Sequence, residues 1–136
     1  MHFGSTLKFF ASILGGTCAC ARLGVRPEAV YYAETDPDAL LLVKARGAGE
    51  VALGDVTAVA RDAVSAVVRR HSGALFLCIG GLPHSDDSNQ GACKKGAGSS
   101  RDGPTLRDHF ARVAHEFRAQ ADPGCFLGLM ERACMS

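Results

Sequence analysis

The feature that most constrains this chain is a repeated alternation: short apolar runs that stop at a glycine or an acid, with helix-patterned segments between them. Leu7 to Leu14 meets Gly15-Gly16, and Ala29 to Ala33 is followed by Glu34 and Asp36. Val51 to Leu53 leads into Gly54-Asp55, Leu75 to Ile79 into Gly80-Gly81, and Cys125 to Met130 into Glu131. Runs that are apolar on both faces suit strands covered from both sides, the condition of a parallel sheet, and parallel neighbours need crossovers long enough to hold a helix. The intervening segments supply these crossovers. Thr17 to Leu23 stops at Gly24, and Asp36-Pro37 is an N-cap and first-turn pair for a helix reaching Arg46. Asp55 to Arg70 carries alanine and valine at helical spacing with basic residues at its end, and Thr105 to Ala119 places Leu106, Phe110 and Val113 on one stripe. Strand and helix alternating in this way predict an α/β fold, a parallel sheet with helices on both faces and right-handed crossovers. The stretch from Pro83 to Pro104 departs from the pattern, being polar and without periodicity, as expected of a functional or disordered loop.

A chain of 136 residues fits one domain, and neither an internal repeat nor a linker divides it. With a net charge of +1 and 47% hydrophobic residues, the composition excludes a disordered or strongly basic protein, so affinity for nucleic acid has to come from a local patch. The six cysteines leave a small secreted disulfide protein as an alternative, since Lys8, the apolar run after it and Ala19-Cys20-Ala21 imitate a cleaved leader. Gly15-Gly16 interrupts that run, however, and Cys78 and Cys125 lie in or beside apolar runs, where reduced cysteine behaves as a small hydrophobe. An intracellular location is therefore expected. No stretch approaches the roughly 20 apolar residues needed to span a bilayer, and no membrane partner is expected.

In a parallel sheet of this kind, ligands bind outside the carboxyl ends of the strands, near the point where strand order reverses. The residues that end the apolar runs are therefore the site candidates. A glycine turn lets a ligand approach the backbone, and an acid after the second strand can accept from two ribose hydroxyls, a pair that suits an adenosine-containing cofactor. The G-x-G-x-x-G fingerprint is missing, which favours a nucleoside without pyrophosphate over NAD. Gly15-Gly16 also reads as a plain turn, and Asp55 reads equally as a helix N-cap or as an acceptor for an exocyclic adenine amine. His109 and His115 read as solvated surface residues. Cys18-x-Cys20 with His2 or His71 lacks zinc-type spacing, so no metal site is expected.

Phe10 to Gly16, Glu34-Thr35-Asp36-Pro37-Asp38-Ala39, Gly54-Asp55-Val56, Ile79-Gly80-Gly81-Leu82-Pro83-His84 and Leu129-Met130-Glu131 resemble, in order and spacing, the first motifs of cytosine-5 DNA methyltransferases. The stretch Pro83 to Ser88, Lys94-Lys95-Gly96 and Phe110-Ala111-Arg112 are most similar to the de novo branch of that family. The resemblance implies a Rossmann-like S-adenosylmethionine-dependent methyltransferase fold, N-terminal part only, in one truncated domain spanning residues 1–136 without the target-recognition region, and a nuclear location. It also implies a cofactor site bordered by Phe10, Gly16, Glu34, Asp36, Asp55 and Gly81. Glu131 would then meet the Watson–Crick edge of a flipped cytosine, and Ser85, Lys94, Lys95 and Arg101 in the long loop would contact DNA.

The family's reaction needs a thiolate that adds to C6 of cytosine and makes C5 nucleophilic. This chain has Pro83-His84 where the family has Pro-Cys, and an imidazole is bulkier and a weaker nucleophile toward that carbon. Cys93 sits in a glycine-serine stretch that does not hold a near-attack geometry. Ala11, Ser12, Phe76, Arg132 and Ala133 replace further family residues in the same motifs. The expectation is a catalytically impaired domain that retains S-adenosylmethionine binding in weakened form, or that acts as a regulatory module for an active methyltransferase partner or as a homo-oligomer. Alternatives are another nucleotide-binding Rossmann enzyme with His84 as acid or base, the secreted disulfide protein, and a decayed gene product.

Overall fold

The strands form where β-branched and aromatic residues cluster, as in Val30-Tyr31-Tyr32, and the helices form between them. A computed structural model describes residues 5–9, 15–46, 50–81 and 106–131. Its strands are β1 (Ser5–Phe9), β2 (Val30–Ala33), β3 (Glu50–Gly54), β4 (Phe76–Gly81) and β5 (Phe126–Glu131). They make a five-stranded sheet in the order β3-β2-β1-β4-β5, and every pairing is parallel. The helices are α1 (Gly15–Arg22), α2 (Pro37–Arg46), α3 (Arg61–Arg70) and α4 (Leu106–Gln120), with a 3-10 turn at Val56–Ala58.

Because side chains alternate across a strand, the core divides into two layers. Tyr31 and Ala33 of β2 and Phe76 and Cys78 of β4 pack with Val56, Val59, Val64 and Val67, and with Phe110, Val113 and Phe117 of α4. Tyr32, between Tyr31 and Ala33, turns the other way and packs on Val43 and Leu40 of α2. Helices therefore cover both faces, as the alternation predicts. Burial pushes the Cys78 thiol well above its ordinary range, so it behaves as a core hydrophobe, and Cys18, Cys20, Cys78 and Cys125 form no disulfide. A polar seam joins α3 to α4: Ser65 Oγ donates to Gln120 Oε1 at 2.6 Å, and Arg61 Nε lies 3.4 Å from Glu116 Oε2.

Several details differ from the sequence reading: Gly15 and Gly16, read as a turn before the first helix, open α1 itself, and Gly80 and Gly81, read as the turn after the fourth strand, belong to β4 and pair with Met130 and Glu131. The described part of β1 begins at Ser5, two residues before the predicted start, because its ladder with β4 already pairs Ser5 with Phe76. The predicted helix from Asp55 to Arg70 is broken: Val59 and Ala60 are extended, with ψ of 110° and 155°, between the 3-10 turn and α3. Arg112 of α4 bonds the carbonyls of Val56 and Val59 across this break, at 3.2 and 2.9 Å. Finally, β5 is covered on one face only among the described residues. Phe126 joins the core, while Leu127 and Leu129 are 49% and 50% exposed. No described helix is long and apolar enough to cross a membrane.

The tightest packing lies between β4 and α4. A Cβ placed on Gly80 falls less than 3.0 Å from three ring carbons of Phe110, so the aromatic ring rests where any larger residue would put its side chain. Gly80→Ala is expected to destabilise the protein by about 1–3 kcal/mol through overpacking. Adding Phe110→Leu should recover part of this loss, and urea denaturation of the single and double variants reads both effects.

Candidate functional site

Parallel strands bring their carboxyl ends to one edge, and the register sets the order of residues along it. Gly54, Ala33, Phe9, Gly80 and Met130 are aligned by successive pairings, so Asp55, Glu34, Gly81 and Glu131 fall along the rim of the sheet. Neighbouring strands lie about 4.8 Å apart, which makes Glu34 and Asp55 next-door residues at one end of the rim, and Gly81 with its partner Glu131 neighbours at the other. The chain builds outward from β1 to β2 and β3, then returns to place β4 on the opposite side of β1. The reversal at β1 and β4 is the crevice position that α/β sheets use for ligands. Gly16 lies in the first turn of α1, which follows β1 in the chain.

Each acid on the rim is held by its own backbone. Glu34, half-buried, accepts through Oε1 from the N–H groups of Thr35 and Asp36 at 2.8 and 2.9 Å. Asp36 accepts through Oδ1 from Asp38 and Ala39 at 2.8 and 3.1 Å, which makes it the N-cap of α2. Asp55 follows Gly54, whose φ of +80° is a left-handed turn suited to glycine, and its Oδ1 accepts from Thr57 N–H at 2.8 Å. The Thr57 backbone N–H, and after it the Thr57 hydroxyl, hold the Asp55 carboxyl below its ordinary 3.8, with a smaller contribution from the charge of His109. Of the two readings of Asp55, the structure shows the capping one.

Three polar residues have surroundings that the sequence reading did not anticipate. Thr17, beside Gly16 in α1, buries its hydroxyl oxygen without a hydrogen-bond partner among the described residues. His109 is half-buried and acts electrostatically on Asp55, although it read as a solvated residue. Arg112 holds the turn that begins at Asp55. His109 and Arg112 lie three residues apart on α4, flanking the buried Phe110 and Val113, and that helical spacing is the signal that pairs them.

The backbone of Glu131 is described, but its side chain is not. Phe10, His84, Ser85, Lys94, Lys95 and Arg101 lie outside the described residues. Phe76 is a core residue 1% exposed. The two members of Cys18-x-Cys20 differ in environment, one exposed and the other buried, and no group of three or more metal-ligating side chains forms among the described residues. A shallow cleft of about 510 Å³, lined by Arg118, Asp122, Phe126 and Gly128, opens at the start of β5, away from the rim. No protein-family model matches the chain, and no curated protein matches it.

Since its folded-state pKa is depressed, Asp55 contributes stability that is present above the unfolded carboxyl range and lost as the pH falls through the folded value. Carboxyl-carbon NMR should show Asp55 titrating below 3.8, and Thr57→Ala should move the midpoint part of the way back. A midpoint at or above 3.8 in the parent chain would mean that this turn does not form in solution.

Proposed function

We propose that the chain is a DNA cytosine-5 methyltransferase-like domain, of the Rossmann-like S-adenosylmethionine-dependent fold, whose cofactor site is the sheet rim and whose methyl transfer is impaired at His84. The observation that carries this reading is the row Asp55, Glu34, Gly81 and Glu131 along one edge, on either side of the strand-order reversal. It is the chemistry of the donor set, joined to the motif order of the sequence, that supports this cofactor over others.

The residues fit an adenosyl group bearing an amino-acid tail. Glu34 is pinned through one oxygen, which fixes its carboxylate at the end of β2 as an acceptor for vicinal ribose hydroxyls. Asp55 stays ionised near neutral pH and accepts from the adenine amine. Gly16 leaves the first turn of α1 without a side chain, and Thr17 beside it carries a buried hydroxyl that has no hydrogen-bond partner among the described residues. When bound, S-adenosylmethionine supplies an electrophilic methyl group on its sulfonium. Among the described residues, nothing lies within 4 Å of where a Cβ on Gly81 would stand, and in this reading the flipped base is received on this side of the rim, beside Glu131. Asp36 serves this site indirectly, by capping α2 and donating its own N–H to Glu34.

In this reading Ser85, Lys94, Lys95 and Arg101 contact DNA phosphates, and the compartment is the nucleus. With His84 in place of a thiol, the remaining role is cofactor binding that supports an active methyltransferase partner or a second copy of the chain.

Isothermal titration with S-adenosylmethionine tests the cofactor half of the proposal. Binding is expected at or below millimolar Kd, and Glu34→Ala or Asp55→Ala should each weaken it about tenfold, the equivalent of about 1.4 kcal/mol. Absence of heat at millimolar ligand would remove the reading. For position 84, a His84→Cys variant joined to the target-recognition region of a cytosine-5 methyltransferase should form a covalent adduct with DNA carrying a mechanism-based cytosine analogue. Failure to trap would sink the assignment of His84 to the nucleophile position.

A further inference from the structure

We infer that Arg112 is the positioning residue for the adenine end of the site: it sets where Asp55 stands without touching the ligand. This inference rests on the reading of Asp55 as the adenine acceptor. The guanidinium donates from Nη1 to Val59 O at 2.9 Å and from Nη2 to Val56 O at 3.2 Å, bridging more than fifty residues of chain. Both carbonyls belong to the break where Val59 and Ala60 become extended, and the local bond from Val59 N to Val56 O is long at 3.4 Å. The planar fork of arginine thus supplies donors that a continuing helix would have supplied.

The consequence reaches across the rim. Asp55 is exposed, while Val56 and Val59 after it are buried in the core, so packing anchors these two side chains and Asp55 itself depends on how the backbone between them is held. Arg112 ties the segment to α4, which is fixed by the buried Phe110, Val113 and Phe117, and Phe110 rests on Gly80 at the carboxyl end of β4. The acceptor at the end of β3 is thereby referenced to β4 at the order reversal, three strand positions away. His109, one turn earlier on α4, adds a minor electrostatic contribution at the same carboxylate. A lysine at 112 has a single ammonium and cannot occupy both carbonyls with the geometry of a planar fork.

The test uses the full chain and two variants, Arg112→Gln and Arg112→Lys, in amide exchange and in titration. The amides of Thr57 and Ala58, which bond to Asp55 Oδ1 and Asp55 O, report the turn directly. In both variants these two amides should exchange at least tenfold faster while the β4 amides keep their protection. Arg112→Gln should also raise the Kd for S-adenosylmethionine at least fivefold, yet change that for the analogue with inosine in place of adenosine by less than twofold, because inosine lacks the amine that Asp55 accepts. Unchanged exchange at Thr57 and Ala58 overturns the inference whatever the ligand does, and so does a loosened turn with unchanged affinity. If the parent chain gives no heat with S-adenosylmethionine but the variants loosen the turn, the cofactor reading fails and the brace stands.

Discussion

The arrangement of the sheet depends on the two-sided pairing of β1. Leu7 lies in register with Tyr31 of β2 on one flank and with Cys78 of β4 on the other, and Phe9 pairs with both Ala33 and Gly80. A strand paired in parallel on both flanks needs crossovers that leave it in opposite directions, and the change of direction leaves a crevice at its carboxyl end. Residues from distant parts of the chain meet there because backbone hydrogen bonds, and not their own affinities, bring the strand ends level.

Packing then decides how rigidly the rim is held. The layer containing α3 and α4 is dense: Phe76, Cys78, Val113 and Phe117 are at most 1% exposed, and the Phe76 and Phe117 rings lie 5.9 Å apart. Helix α4 is the common support, since it touches α3, the 3-10 turn, β4 and β5. The acids at the ends of β2 and β3 are held differently, by bonds from neighbouring backbone N–H groups to one carboxylate oxygen. Such short-range bonds orient a carboxylate at small entropic expense, because the donor is already fixed by the turn that the carboxylate closes. Tyr31 is held differently, by a contact between side chains forty residues apart, its hydroxyl lying 2.8 Å from His71 Nε2 just past α3.

The strands and most of the helices were legible because their signals are local. An apolar run stopped by glycine says strand and turn, and Asp36-Pro37 says helix start, without knowledge of anything distant. The helix predicted from Asp55 to Arg70 failed in the middle for an equally clear reason. Alanine and valine at helical spacing continue through residues 56–60, but Arg112, more than fifty residues away, competes for the carbonyls that the helix would use. Likewise His109 looks like any polar residue on an amphipathic helix until α4 is docked against the turn at Asp55.

What the sequence by itself determined is the order of elements and the identity of the residues that end the strands, because these are written in composition and spacing along a single line. Only the tertiary structure decided that Glu34 and Asp55 stand on adjacent strands, that Gly81 pairs with Glu131, and that Arg112 secures the turn between β3 and α3. The physical reason is range. Turn and capping preferences act over a few residues, whereas strand register and helix docking are settled by pairing and burial between segments tens of residues apart.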